Sequence, residues 1–186
     1  MTLGIIIIIV VAAIAVAVLG YLLYAVNQKK HTGELKGRFG PEYDRTVEAS
    51  GGRKEAEQDL AARQERVEKF DIRPLGETQR QDYVERWRVI QVRFVDDPVA
   101  SLRDADALVG DVMTARGYPM ATWDQRAADV SVDHPEVVAN YRAGHETSQA
   151  MEAGTATTEQ LRQAMVHYRK LFEDLLLAPE PVGARR

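Results

Sequence analysis

Apolar residues are distributed along this chain in two ways. From Leu3 to Val26 they are nearly continuous (LGIIIIIVVAAIAVAVLGYLLYAV), with no charged residue among them. At about 1.5 Å per helical residue this run is roughly 36 Å long. That covers a hydrocarbon core of about 30 Å with some tilt. Beyond Val26 apolar residues recur at helical spacing between charges. The first pattern predicts one transmembrane helix over 3–26, with the lipid bilayer as its partner; the second predicts a helical domain behind it.

A secretory signal has a basic n-region, an apolar core of about 7–15 residues and a small-residue cleavage site. Here no Lys or Arg precedes the run, and the A-x-A of Ala15-Val16-Ala17 lies in its middle. The span is therefore expected to stay as an anchor. Lys29, Lys30, Lys36 and Arg38 follow it. Basic flanks stay cytoplasmic, which predicts a cell-membrane protein with its N-terminus outside and its domain in the cytosol. Tyr21 and Tyr24 fall at the depth of interfacial aromatics.

Residues 27–40 include three glycines and no apolar period, and predict a flexible neck. Gly40-Pro41 opens a helix that Ser50-Gly51-Gly52 stops. Arg53 to Phe70 is highly charged, with a thin stripe of Ala56, Leu60, Val67 and Phe70. Together 41–70 read as juxtamembrane and stalk helices, supported by the Asp59/Arg63 and Glu65/Lys69 pairs. An extended connector follows over Asp71 to Gly76, because Arg73 precedes Pro74.

The compact domain is expected over 77–177. Tyr83, Trp87, Ile90 and Phe94 share one helical face, and Asp97-Pro98 ends that helix and caps the next. The second helix buries Leu102, Ala105, Val109, Val112 and Met113, up to Gly117-Tyr118-Pro119. Thr122 and Gln125 form a capping box for a short helix over Trp123 to Ala128. Asp133 and Glu136 predict a further box, with Val132 stapled onto Val137. From there Val137, Val138, Tyr141, His145 and Ser148 share a face. Thr157 and Gln160 cap the last helix, which buries Leu161, Ala164, Met165, Tyr168, Phe172, Leu175 and Leu176. Pro179 and Pro181 predict a disordered tail over 178–186. No segment alternates with period two. The fold class is all-α: a transmembrane helix, a charged stalk, and a bundle of four main helices with one short one.

Composition narrows function more than fold. A net charge of −4 leaves no basic footprint for nucleic acid. With no cysteine there is no disulfide framework, thiolate metal site or Cys nucleophile. The histidines are His31, His134, His145 and His167. His145-Glu146-Thr147-Ser148-Gln149 falls one ligand short of the metalloprotease helix motif, since Gln149 stands where a second His is needed. Neither His145 nor His167 has the Glu three residues earlier that a di-iron bundle uses. His145 is the most interesting of the four, because helical period places it on the apolar face; a hydrogen-bonded core or boundary role is the simpler reading. Asp97 of the Asp96-Asp97 pair is explained as a cap. Trp87 and Trp123 fall at core spacing. These residues supply no assembled catalytic, cofactor-binding or metal-binding set.

The blocks FGPEYDRTV (39–47), DIRPL (71–75), RFVDDP (93–98), RGYP (116–119), QRAADVSVDHPEVVANYR (125–142) and LRQAMVHYRKLFEDLL (161–176) together resemble a group of small membrane or secreted proteins from high-GC Gram-positive bacteria. Gly76 stands where that group carries Ser. The resemblance covers nearly everything after the anchor, and implies a single-pass or exported protein without implying an activity. Three readings follow. The first is a membrane-anchored scaffold or accessory module with a protein partner. The second is a ligand-binding or enzymatic bundle with a pocket near His145 and Tyr141. The third is an exported cell-envelope domain.

Overall fold

The computed structural model describes residues 2–119 and 121–177, with the side chains of 2–15, 17 and 24 outside the described set. The described residues form eight helices and no strand: α1 (Thr2–Phe39), α2 (Pro41–Ser50), α3 (Arg53–Val67), α4 (Glu77–Arg93), α5 (Pro98–Ala115), α6 (Trp123–Asp133), α7 (Pro135–Glu152) and α8 (Thr158–Leu177). The all-α class is thus observed. Among the described residues no helix is long and apolar enough to cross a membrane. The predicted span, Leu3–Val26, falls largely on side chains outside the described set, and the predicted tail, 178–186, lies wholly outside it.

Contacts divide the chain into Met1–Arg38 and Phe39–Arg186. In the first unit the expected flexible neck is instead helical, since α1 runs without a break to Phe39. Gly33 and Gly37 each weaken a helix by about 1 kcal/mol, but neither stops it. The first real stop is Gly40, at φ 48°, immediately ahead of Pro41.

The second unit begins earlier than expected. Residues 41–70 do not form a separate stalk, because α3 packs on α6 and α2 packs on both α3 and α7. Ala56, Leu60 and Val67 are buried. The charged look of α3 misleads, because several of its polar groups are buried in pairs. The Tyr43 hydroxyl donates to Glu57 at 2.8 Å, and burial with that carboxylate pushes the phenol up to about 12. Arg66 donates to Asp129 of α6 at 2.8 Å. Buried polar groups are tolerated where such partners exist.

The core lies between α5, α7 and α8, where α7 against α8 and α5 against α8 are the most extensive contacts. Leu102, Ala105, Leu108, Val109, Val112 and Met113 of α5 are buried, as are Leu161, Ala164, Tyr168, Leu171, Phe172 and Leu175 of α8. Gly144 permits this close approach: a Cβ there would stand 3.1 Å from the Tyr168 ring. Helix α4 is held more lightly. Only Trp87 and Ile90 of its residues are buried, with the Trp87 ring stacked on Phe172 at 4.7 Å.

Several predicted signals are met. Asp97 accepts from the Ala100 amide at 3.0 Å, and Thr122 from the Gln125 amide at 3.4 Å, but the expected box there is only half formed, because the Gln125 side chain donates to Asp129 at 2.8 Å instead. Thr157 and Gln160 bond reciprocally, at 2.7 and 3.3 Å. The connector 71–76 is non-helical as expected and is tied to the end of α5 by Arg73 N–H to Arg116 O, at 2.9 Å. Gly117 is required there: its φ is 99°, and a Cβ would fall 2.1 Å from the Asp71 carbonyl oxygen.

The box at Asp133 is not formed. Helix α6 continues to Asp133, and the break falls at His134, which is the N-cap position of α7 and makes no side-chain cap bond. The physical reason is Pro135, which drives the residue before it out of helical angles; His134 sits at φ −130°. Asp133 accepts from the Tyr118 hydroxyl at 3.1 Å instead. The His134 ring, 6% exposed, hydrogen-bonds Asp174 of α8 through Nδ1.

Candidate functional site

Four helices of the second unit bring polar side chains into one interior cluster. Asp106 comes from α5, Trp123 and Arg126 from α6, Tyr141, His145 and Ser148 from α7, and Tyr168 from α8. Two glycines make room for it. Gly144 admits the Tyr168 ring, and at Gly110 a Cβ would stand 3.0 Å from the Arg126 guanidinium.

The aromatic frame is well defined. Trp123 stacks on His145 with centroids 3.9 Å apart and planes 7° from parallel. Tyr141 tilts against Trp123 at 5.3 Å and meets Tyr168 edge-on at 6.3 Å. The Tyr168 hydroxyl bonds Ser148 at 3.1 Å and also reaches the Asp106 carboxylate. The Gln149 amide donates to His145 Nε2 at 3.2 Å. Burial holds His145 below the usual imidazole value, with Asp106 pulling up and Arg126 pulling down. Burial likewise pushes the Tyr141 and Tyr168 phenols up.

Pairing within the cluster is incomplete. Asp106 Oδ1, Arg126 Nε and His145 Nδ1 are buried without a well-formed hydrogen bond to a described residue, and the Trp123 indole N–H and Tyr141 hydroxyl meet only each other, outside ideal geometry. Natural interiors pair nearly all such atoms, and each one left over costs about 1–3 kcal/mol. Several gathered in one place mark a site whose polar capacity exceeds what the protein itself uses.

Trp123 and His145 also line a cleft of about 390 Å3, together with Arg45, Asp124, Arg142 and Glu146. Arg142 lies over the Trp123 ring at 5.9 Å. Below the cleft, Glu42 is 2% exposed. Its Oε1 accepts from Arg142 at 2.7 Å, Arg63 at 3.0 Å and Arg45 at 3.5 Å. Asp59 takes the other side of Arg63 at 2.5 Å. Helices α2, α3 and α7 are joined through this one carboxylate.

The arrangement suits binding better than proton transfer. A catalytic imidazole needs an acceptor orienting its second nitrogen, and His145 Nδ1 has none among the described residues. Nor does any group of three His, Cys, Asp or Glu stand ready for a metal ion among them. The other predicted candidates are dispersed. His134 is tied to Asp174, His167 bonds Asn140 at 2.9 Å, and His31 is exposed on α1. Gln149, standing where a metalloprotease would carry its second His, bonds His145 itself.

His145, Tyr141 and Ser148 were placed together by helical period. Asp106, Arg126, Tyr168 and the two cleft arginines were not. The available signal was Gly110 and Gly144, each inside a helical pattern where a glycine has a packing or functional reason. Comparison with known proteins finds no matching family model, no similar curated protein and no similar solved structure.

Proposed function

We propose that this chain is a membrane-tethered binding module whose helical body takes a small polar ligand at the His145 cleft. The carrying observation is that Trp123 and His145 line a cleft in the size range of small-molecule sites, while buried polar atoms of His145, Asp106 and Arg126 are left without a well-formed hydrogen bond among the described residues. Sequence supports the tether: Leu3–Val26 contains no charge. The described part of that run leaves Val16, Val18, Leu19, Leu22, Leu23 and Val26 exposed, a continuity that water-soluble surfaces rarely show. Basic flanking residues put the body on the cytosolic side.

Two measurements test this reading. A fragment screen on the full-length protein in detergent, read by Trp123 fluorescence in a Trp87→Phe background, should give polar hits that Tyr141→Phe weakens. A screen in which every hit ignores the cleft refutes the binding reading. A C-terminal reporter that fluoresces only in the cytosol should light up; signal only from an exported reporter reverses the topology.

The scaffold reading retains one observation of its own. Helix α4 exposes Val84, Val89 and Val92, followed by Val95, an apolar face suited to a partner helix with a matching stripe. Val92→Asp would break such docking while leaving the cleft untouched, which separates the two readings.

A further inference from the structure

The charges around the cleft specify its ligand further, on the premise that the cleft is a binding site. Three guanidinia share one oxygen of Glu42, and among the described residues only Arg63 of the three has a second carboxylate, Asp59. The cationic side is therefore under-matched by one charge. Arg45 carries the surplus: its bond to Glu42 is a long 3.5 Å and its side chain is 49% exposed. Arg142 is held more firmly, yet its Nε is buried without a partner, and its guanidinium sits between Glu42 and the like charges of Arg45 and Arg63. The same cleft is lined by Asp124 and Glu146, both exposed, and among the described residues neither forms an ion pair. The cleft thus offers two guanidinia still able to accept an anion and two carboxylates still able to accept a cation.

We infer that the cleft binds a small zwitterion, its carboxylate or phosphate on Arg45 and Arg142 and its ammonium on Asp124 and Glu146. A simple anion meets the arginines but is repelled by the acids, and a simple cation meets the reverse. Only a ligand carrying both charges gains on both sides. Charge-assisted hydrogen bonds are also the stronger ones, and arginine grips oxyanions in a fork. A free amino acid and a phosphoethanolamine lipid headgroup share this chemistry.

The test uses the full-length protein in nanodiscs of an uncharged digalactosyl lipid, since phosphatidylcholine is itself a zwitterion, with Trp87→Phe leaving Trp123 as reporter. The probes are L-alanine, O-phosphoethanolamine, propionate and ethylammonium, with a further arm in discs containing phosphatidylethanolamine. One zwitterion should bind at least about tenfold more tightly than either single-charge probe. Arg45→Gln and Asp124→Asn, both at exposed positions, should each erase that advantage without unfolding the protein. A response to phosphatidylethanolamine discs but not to free alanine assigns the headgroup as the source; the opposite assigns a soluble amino acid. If propionate binds as tightly as alanine and phosphoethanolamine, the zwitterion inference falls while the cleft stands as an anion site. Silence of Trp123 to every probe, lipid arm included, removes the inference; a fragment screen that also avoids the cleft then removes the binding reading.

Discussion

Replacing Tyr141 by Phe deletes one oxygen from the middle of the domain, and the expected result is a more stable protein. Tyr141 is 0% exposed. Its ring contacts, Trp123 at 5.3 Å and Tyr168 at 6.3 Å, are made by carbon and survive in Phe. Its hydroxyl meets only the Trp123 indole N–H, outside well-formed geometry, so folding strips that group of water with little return. Such a group costs about 1–3 kcal/mol. Tyr141→Phe should therefore stabilise the fold by about 1 kcal/mol or more, a Tm rise of about 2–4 °C for each kcal/mol in a chain of this size. Urea unfolding followed by tryptophan fluorescence is the suitable assay, because helix signal from the N-terminal segment need not report the body. A gain in stability together with weaker ligand binding is the signature of an oxygen kept for function. A loss above about 1 kcal/mol would mean that the hydroxyl is bonded in the folded protein. Tyr141 would then be a structural residue rather than one kept for a ligand.

Glu42→Gln leaves three guanidinia around a neutral amide, and should cost about 3–5 kcal/mol in urea unfolding, as removal of one partner from a buried ionic group does; a cost below about 1 kcal/mol would show that solvent already reaches the cluster. His134→Ala should cost about 1–3 kcal/mol, since the ring is 6% exposed and bonded to Asp174; an unchanged melting temperature would show that this bond adds nothing to folding. Burial holds both His145 and His167 below the usual imidazole value. The unfolded chain therefore binds more protons than the folded one as pH falls below about 6.5. Their contribution to stability is complete above that pH and is lost on acidification towards the folded pKa values. His145→Gln should flatten this slope below about pH 6.5, and an unaltered slope would refute the assignment.

Much of this protein is decided within single stretches of chain. The helical class, the caps at Asp97, Thr122 and Thr157, the stop at Gly117 and the apolar faces of α5 and α8 follow from propensity, hydrogen-bonding side chains and period 3.6. Each is a contest among neighbours a few residues apart. The break at His134 was legible in the same way, because Pro135 restrains the residue before it; the capping pattern around Asp133 concealed it. The continuous helix through 27–39 illustrates another local limit, since two glycines weaken a helix without ending it.

What the tertiary structure alone decided is the fate of charge. Read along the chain, Arg63, Glu42 and Asp129 look like solvated surface. They become interior residues because partners arrive from 21 to 100 positions away, as Arg63 and Arg142 do at Glu42. The same holds for the candidate site. A sequence shows that His145 and Tyr141 share a helical face, but Asp106, Arg126 and Tyr168 reach them from three other helices, through gaps left by Gly110 and Gly144. Whether a buried polar atom finds a partner depends on distances across helices, and those distances are set by how the side chains of several helices interlock rather than by the order of residues in any one.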